Sequence, residues 1–264
     1  MIHIENLQFS YSKKKEVFKS LNLDIETGGI TGILGANGVG KTTLLKLMTG
    51  QMFQQGGSIN VLGEKPQDRL PRFLENVYYV PDEIFFPPMK GDRFVKLYSQ
   101  FYPKFDKECF DRLAEEFEVS TSDKLNKMSL GQKKKFIISF ALATKCQLLV
   151  FDEPTNGMDI PAKNVFRKVT ASLLNDNQLM LISTHQVADI KNLIDRIVLI
   201  DKGEVKLNDT TWNISQKYAF VTTDTDEGAI YAEEAPGGYR AVVQANGQQT
   251  EIDLELLFNA RKNL

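Results

Sequence analysis

Cysteine is scarce in this 264-residue chain: only Cys109 and Cys146 occur, far apart and with no histidine beside either. That excludes a disulfide framework and a Cys/His zinc site, and leaves two reduced, structural thiols. Long apolar runs are missing as well; none approaches the ~20 residues that span a bilayer. The N-terminus, Met-Ile-His-Ile-Glu-Asn, carries no basic region followed by an apolar core. The chain is therefore expected in the cytosol, with any membrane role supplied through a partner. Charge of one sign is also lacking, since the net charge is -2. So even a balance gives nucleic acid no electrostatic footprint, and no nucleic-acid partner is expected. Lys13 to Lys15 and Lys133 to Lys135 are short basic clusters, read as solvated loop or helix faces ahead of polyanion sites, although both could also lie near bound phosphates.

What is present begins with composition, 42% hydrophobic and 25% charged, ordinary for one large globular domain with an appendage. Residues 35 to 42 read Gly-Ala-Asn-Gly-Val-Gly-Lys-Thr, a complete G-x-x-x-x-G-K-[ST] loop. Glycines let successive backbone N–H groups turn inward around phosphate oxygens, and a following helix adds the positive end of its dipole. Lys41 would reach the β- and γ-phosphates, and the Thr42 hydroxyl would ligate Mg²⁺. The flanks suit the motif: Ile30 to Leu34 is a β-branched apolar run, and Thr43 to Met48 continues as a helix.

Residues 2 to 9 alternate (Ile2, Ile4, Leu7, Phe9), as do Leu21 to Ile25, which predicts an antiparallel edge sheet ahead of the loop. Further strands are expected at Ser58 to Leu62, Val77 to Val80, Leu148 to Phe151, Met180 to Ser183 and Ile197 to Ile200, with helices between them. This is an α/β chain with a sheet of parallel βα units. Residues 92 to 118 carry aromatic and aliphatic residues at helical spacing on either side of Pro103, a helical hairpin inserted in the core. Beyond about residue 205 short alternating runs broken by Gly-rich turns, notably Pro236 to Gly238, predict a small β-containing appendage.

Leu148-Leu149-Val150-Phe151-Asp152-Glu153 reads as a buried strand ending in two carboxylates. Asp152 can hold Mg²⁺ directly or through water, and Glu153 can accept a proton from the attacking water. Before it, Met128-Ser129-Leu130-Gly131-Gln132 leads into a helical run with Phe136, Ile137, Phe140 and Ala143 on one side; a serine and a glycine ahead of a helix offer an anion a hydroxyl and open N–H groups.

With these motifs in order the chain resembles the nucleotide-binding subunit of an ATP-binding cassette (ABC) transporter. The resemblance runs from about residue 2 to 210. It rests on the phosphate loop, a variant of the L-S-G-G-Q signature at Met128 to Gln132, the strand ending at Glu153, the Asn156-Gly157-Met158-Asp159 loop, and the histidine of Ile182-Ser183-Thr184-His185.

The resemblance implies an ABC-type ATPase core over residues 1–210, with an antiparallel β edge subdomain, a helical subdomain inserted over about 83–145, and an appendage at 211–264. It implies ATP and Mg²⁺ as ligands and two cassettes facing head to tail. Nucleotide contacts then fall to Tyr11, Gly35, Asn37, Gly38, Gly40, Lys41, Thr42 and Thr43, and from the facing cassette to Ser129, Gly131 and Gln132, with Asp159 linking the two sites. Metal contacts fall to Thr42, Asp152 and Asp82, and catalysis to Glu153 with His185. Tyr11 stacks on adenine in this reading; otherwise it packs on the edge sheet. The chain departs from the family pattern twice: Asp82 stands where a glutamine is usual, either a metal ligand or a loop acid, and Leu130 replaces the signature's first glycine.

An integral membrane permease is the implied partner, placing the chain at the inner face of the cell membrane. Its docking groove is expected between the Asp82 loop and the hairpin, where the apolar segment Ile84 to Met89 either receives a partner helix or plugs the hairpin onto the core. The resemblance favours the single-cassette exporter branch; the alternative is a soluble cassette ATPase of assembly or remodelling, such as iron-sulfur cluster assembly.

Overall fold

A computed structural model describes residues 2–12, 15–247 and 250–263; two members of the first basic cluster, Lys13 and Lys14, lie outside them. Strands β1 (Ile2–Ser12) and β2 (Lys15–Ile25) are each longer than the alternation alone predicted. Then come β3 (Ile30–Leu34), α1 (Lys41–Met48), β4 (Gly56–Val61), α2 (Pro71–Leu74) and β5 (Val77–Val80). The helical insert consists of α3 (Gly91–Tyr98), α4 (Lys107–Glu116) and α5 (Leu130–Ala143). Next, β6 (Leu148–Asp152), α6 (Ile160–Leu173), β7 (Leu179–Thr184), β8 (Arg196–Asp201) and β9 (Glu204–Thr210) complete the main body. The chain then runs through α7 (Thr211–Lys217), β10 (Tyr218–Thr223), β11 (Tyr231–Ala235), β12 (Gly238–Gln244) and α8 (Leu254–Asn259).

The central sheet has the order β5-β6-β7-β3-β8-β9, parallel except for the last strand, which turns back antiparallel on β8. Its inner strands β6, β7, β3 and β8 are apolar on both faces because both are covered. Leu148, Val150, Leu179 and Leu181 point to the side holding α1 and the three-stranded sheet β2-β1-β4. Leu149, Phe151, Met180 and Ile182 point to the opposite side, onto the helices. A period of two thus sends neighbouring residues of one strand into two separate cores.

In the helical layer, Phe136 of α5 meets Phe86, Phe94 and Phe110 edge-to-face at 5.6, 5.6 and 5.7 Å. Two expectations change here. α5 is buried on every side from Phe136 to Ala143, not on one face, because it lies between the central sheet and the α3–α4 hairpin. Nor is Lys133 to Lys135 a solvated face, because Lys134 has no exposed surface. The segment at 84–89 divides its residues: Ile84 and Phe86 plug the hairpin, while Phe85 is 99% exposed.

Past β9 lies a separate antiparallel sheet of order β10-β12-β11. Helix α8, started by Asp253 accepting from the N–H groups of Glu255 and Leu256, bridges the two parts. Leu254 and Leu257 join the main core, Leu256 and Ala260 pack with Val242 of the small sheet, and Arg261 reaches Asp201 at 3.4 Å.

Candidate functional site

The site forms where β3, β6 and β7 end side by side. After β3 the glycine loop closes on itself, and Gly40 caps α1 at φ 111°, a left-handed conformation that favours glycine. A Cβ there would also stand 2.7–2.8 Å from Val17 and Phe18 of β2. Lys41, 6% exposed, donates to the carbonyl of Gly35 at 2.7 Å. Burial lowers its pKa, opposed by the charges of Glu153 and Asp152.

Register brings Asp152 opposite Ser183, so the ends of β6 and β7 meet. Asp152 is buried, with one carboxylate oxygen accepting from the Ser183 hydroxyl and the other from Tyr79 at 3.0 Å. Burial first, and Asp152 second, push the Tyr79 phenol well up, so it stays a donor. The next residue, Glu153, sits at φ 47°, left-handed for a bulky side chain, which costs on the order of 1–3 kcal/mol. Its N–H is held by the carbonyl and hydroxyl of Ser183 at 3.0 and 3.3 Å. This bend swings the carboxylate out of line with the strand, to 2.8 Å from His185 Nδ1 and 3.8 Å from Lys41 Nζ.

A cavity of about 550 Å³ opens over these groups, lined by Tyr11, Lys15, Val17, Asn37, Gly38, Gly40, Lys41, Thr42, Thr43, Asp82, Glu153, Asn156 and His185. Ten of the residues singled out in the sequence therefore share one wall. Tyr11 stands at its rim, half exposed, edge-to-face on Phe9 and with its hydroxyl 2.9 Å from Thr43 Oγ1. Its packing on the edge sheet thus coexists with a half-exposed ring, over which the Lys15 ammonium lies 5.4 Å from the ring centre. Gly35 and Asp152 lie outside that lining. So do Ser129, Gly131, Gln132 and Asp159.

Those last four build helix starts. Ser129 and Gln132 form a reciprocal capping box on α5, and Asp159 accepts from Ala162 N at 2.8 Å to begin α6. A Cβ on Gly131 would lie 2.8 Å from the carbonyl oxygen of Gly157, and the Leu130 side chain reaches over Gly157. Among the described residues no cluster of three or more His, Cys, Asp or Glu side chains is arranged to hold a metal.

Sequence reasoning did not assign Lys15, Val17, Asn156 or Lys134 to the site. Asp82 accepts from Asn156 Nδ2 and from Lys134 Nζ, each at 3.2 Å, while Lys134 also donates to the Glu153 carbonyl at 2.8 Å. Burial lowers the pKa of Lys134, and Asp82 acts against that. No periodicity marks it, because α5 is buried on every side from Phe136 to Ala143 and Lys134 stands between two partly exposed lysines.

A second cavity of about 760 Å³ lies between the core and the hairpin, lined mainly by Val77, Tyr78, Tyr79, Phe94, Tyr98, Phe101 and Tyr102 with Gln51 and Arg69. The groove was expected between the Asp82 loop and the hairpin; this cavity borders the hairpin elsewhere, and neither Asp82 nor the 84–89 segment lines it.

A glycine loop at the end of a parallel strand, with acids ending the strand two positions away, defines a phosphate-loop nucleotide hydrolase. The model of the family described as ABC transporter matches residues 18–156. An uncharacterized ABC transporter ATP-binding protein of Bacillus subtilis is 31% identical over 210 residues, 78% of this chain and 68% of that one. The linearmycin resistance ATP-binding protein of the same organism is 28% identical over 211 residues, with the same shares. A solved ATP-binding subunit of an ABC transporter superposes with a TM-score of 0.71, at 22% identity over 81% of this chain and 91% of that one, a likeness of fold. The chain belongs to the ABC transporter family as an ATP-binding, ATP-hydrolysing subunit.

Proposed function

We propose that two cassettes of this kind close head to tail, each holding ATP on its own phosphate loop, and that their hydrolysis powers an integral membrane permease. The observation that carries the reading is the meeting of Lys41, Glu153 and His185 on one cavity wall, with Ser129 and Gly131 left off it. Lys41 then leaves the Gly35 carbonyl for the phosphates, Glu153 takes the proton of the attacking water, and His185 orients that carboxylate and contacts the γ-phosphate. Tyr11 offers its face to adenine, and Asn37, Gly38, Gly40 and Thr43 cradle the phosphates. From the opposite cassette come Ser129, Gly131 and Gln132, with Asp159 linking the sites.

Mg²⁺ suits the donors present: the Thr42 hydroxyl and the Asp82 carboxylate border the cavity and Asp152 lies behind them, short of a full cage, as fits an ion that keeps waters and phosphate oxygens. Bound there, it would neutralise charge on the β- and γ-phosphates.

Residues 1–210 form the ATPase unit in this reading, the insert at about 83–145 supplying the signature, and 211–264 the appendage. The aromatic groove beside the hairpin supports a permease helix as its occupant. Among the described residues no helix is long and apolar enough to cross a membrane, so the permease would hold the chain at the cytoplasmic face. Similarity to a linearmycin resistance protein supports export as the direction.

Complementation tests the arrangement. Lys41→Ala and Ser129→Glu chains are each inactive alone; mixed, they form pairs in which one site carries both defects and the other none. Random two-fold pairing restores roughly a quarter of the parental rate. No recovery on mixing would sink the head-to-tail reading, and failure of the native chain to copurify with a multi-span membrane protein would sink the permease.

A further inference from the structure

The buried ammonium of Lys134 is out of place by packing alone. It sits two residues ahead of the run Phe136 to Ala143, which is buried throughout and apolar but for Ser139, and methionine would fill the same volume without desolvating a charge. Its two acceptors both belong to the site: the Asp82 carboxylate and the backbone carbonyl of Glu153. The second contact matters because Glu153 is left-handed. Relaxation to an ordinary backbone angle would swing that carbonyl away from Lys134 and carry the side chain off the wall shared with His185 and Lys41.

We propose that Lys134 is a positioning residue for ATP hydrolysis: its ammonium holds Glu153 in the strained conformer through the carbonyl, and holds Asp82 beside it. The Ser183 oxygens fix the Glu153 N–H from one side, and Lys134 fixes the carbonyl from the other. Asn156 and Gln186 extend the hold, since Asn156 donates to Asp82 at 3.2 Å and accepts from Gln186 at 3.3 Å. The signature helix of a cassette is thereby tied to the carboxylate of its own site. This inference rests on the reading of Glu153 as the base.

The test compares Lys134→Met, Lys134→Gln and Glu153→Gln with the parent in the full chain, measuring kcat and KM for ATP and the thermal unfolding midpoint. Asp82 is about half exposed and takes up water when its partner is gone, and the Glu153 carbonyl turns away as its strained backbone relaxes, so Lys134→Met keeps the midpoint near that of the parent. KM stays within about threefold and kcat falls about tenfold or more, since a carboxylate displaced by a fraction of an ångström loses its line to the water. Lys134→Gln, whose amide can still donate to the Glu153 carbonyl, recovers part of the loss.

A purely structural lysine would move the midpoint instead. Failure of Lys134→Met to fold, a lowered midpoint with no recovery in Lys134→Gln, or KM rising in step with falling kcat each overturns the proposal. Parental kcat in Lys134→Met beside an inactive Glu153→Gln removes the positioning role and leaves the base. Parental turnover in Glu153→Gln removes the base itself.

Discussion

Replacing Glu153 by glutamine keeps the shape of the side chain and removes its charge and its capacity to accept a proton. The amide oxygen can still face the ring of His185, so the wall of the site stays standing. General-base assistance contributes about 10²–10⁴-fold. Neighbouring acids decide where in that range the loss falls. Asp152 has both oxygens engaged, by Ser183 and by Tyr79, and Asp82 is held by Lys134 and Asn156. Among the described residues only the second oxygen of Asp82 stays unengaged at the cavity, and Asp82 does not share the contacts to His185 and Lys41 that aim Glu153, so the loss is placed at about 10³-fold, or roughly 4 kcal/mol on the barrier at 1.36 kcal/mol per decade.

Binding moves the other way. Glu153 lies 3.8 Å from Lys41 and competes with phosphate for that ammonium. Without the carboxylate, ATP binds as well as before or more tightly, and the nucleotide-bound dimer accumulates because it cannot turn over. Phosphate release measures the first effect, and equilibrium binding with a fluorescent nucleotide the second. Size-exclusion chromatography with and without ATP reports the trapped dimer. Hydrolysis by Glu153→Gln at the parental rate would refute the assignment of the base, and loss of binding would mean that the carboxylate is needed to hold the loop.

Two further outcomes follow from the same geometry. Gly131→Ala places a Cβ 2.8 Å from the carbonyl of Gly157, a backbone atom that cannot step aside cheaply, so the 156–159 loop shifts. ATP affinity of the isolated chain should stay unchanged while the specific activity of the dimer drops; equal affinity and equal activity would show that this contact is slack. The second concerns pH: burial lowers the pKa of both Lys41 and Lys134. A lysine so depressed destabilises the fold fully below its folded pKa, and the penalty fades as pH rises from there toward the unfolded value near 10.5. Unfolding free energy of the nucleotide-free protein, followed by denaturant titration across that window, should rise more steeply with pH in the parent than in Lys134→Met. Parallel curves would contradict the sign.

The phosphate loop was legible because its chemistry is local: eight consecutive residues carry the turn, the cation and the hydroxyl. Asp152 and Glu153 were legible for the same reason, standing at the end of an apolar run that can only be a buried strand. Lys134 was not, because three adjacent lysines look like a solvated face until the position of α5 under the hairpin is known. Burial all round α5 likewise depends on what lies above it, and no periodicity in α5 reports that. The 84–89 segment illustrates the limit at single-residue scale, since Phe85 and Phe86 are chemically equal and the backbone sends one into solvent and the other into the aromatic core.

Asp82 and Lys134 are best understood together. Where the family pattern has a neutral amide, this chain has an acid, which taken alone would add negative charge to a cavity that must receive a triphosphate. Lys134 offsets it from below, through a contact of 3.2 Å whose lysine end is buried and whose carboxylate end is about half exposed. The pair presents the cavity with the same net charge as an amide, and the Asp82 carboxylate keeps enough exposed surface to reach an ion. What the pair adds is linkage: an amide could change position alone, whereas a carboxylate drawn toward a metal pulls on the ammonium that also holds the Glu153 carbonyl. If Glu153 is the base and Asp82 meets the metal, loading of the site and the aim of its base are joined through one buried nitrogen, and removing that nitrogen should uncouple them without loosening the fold.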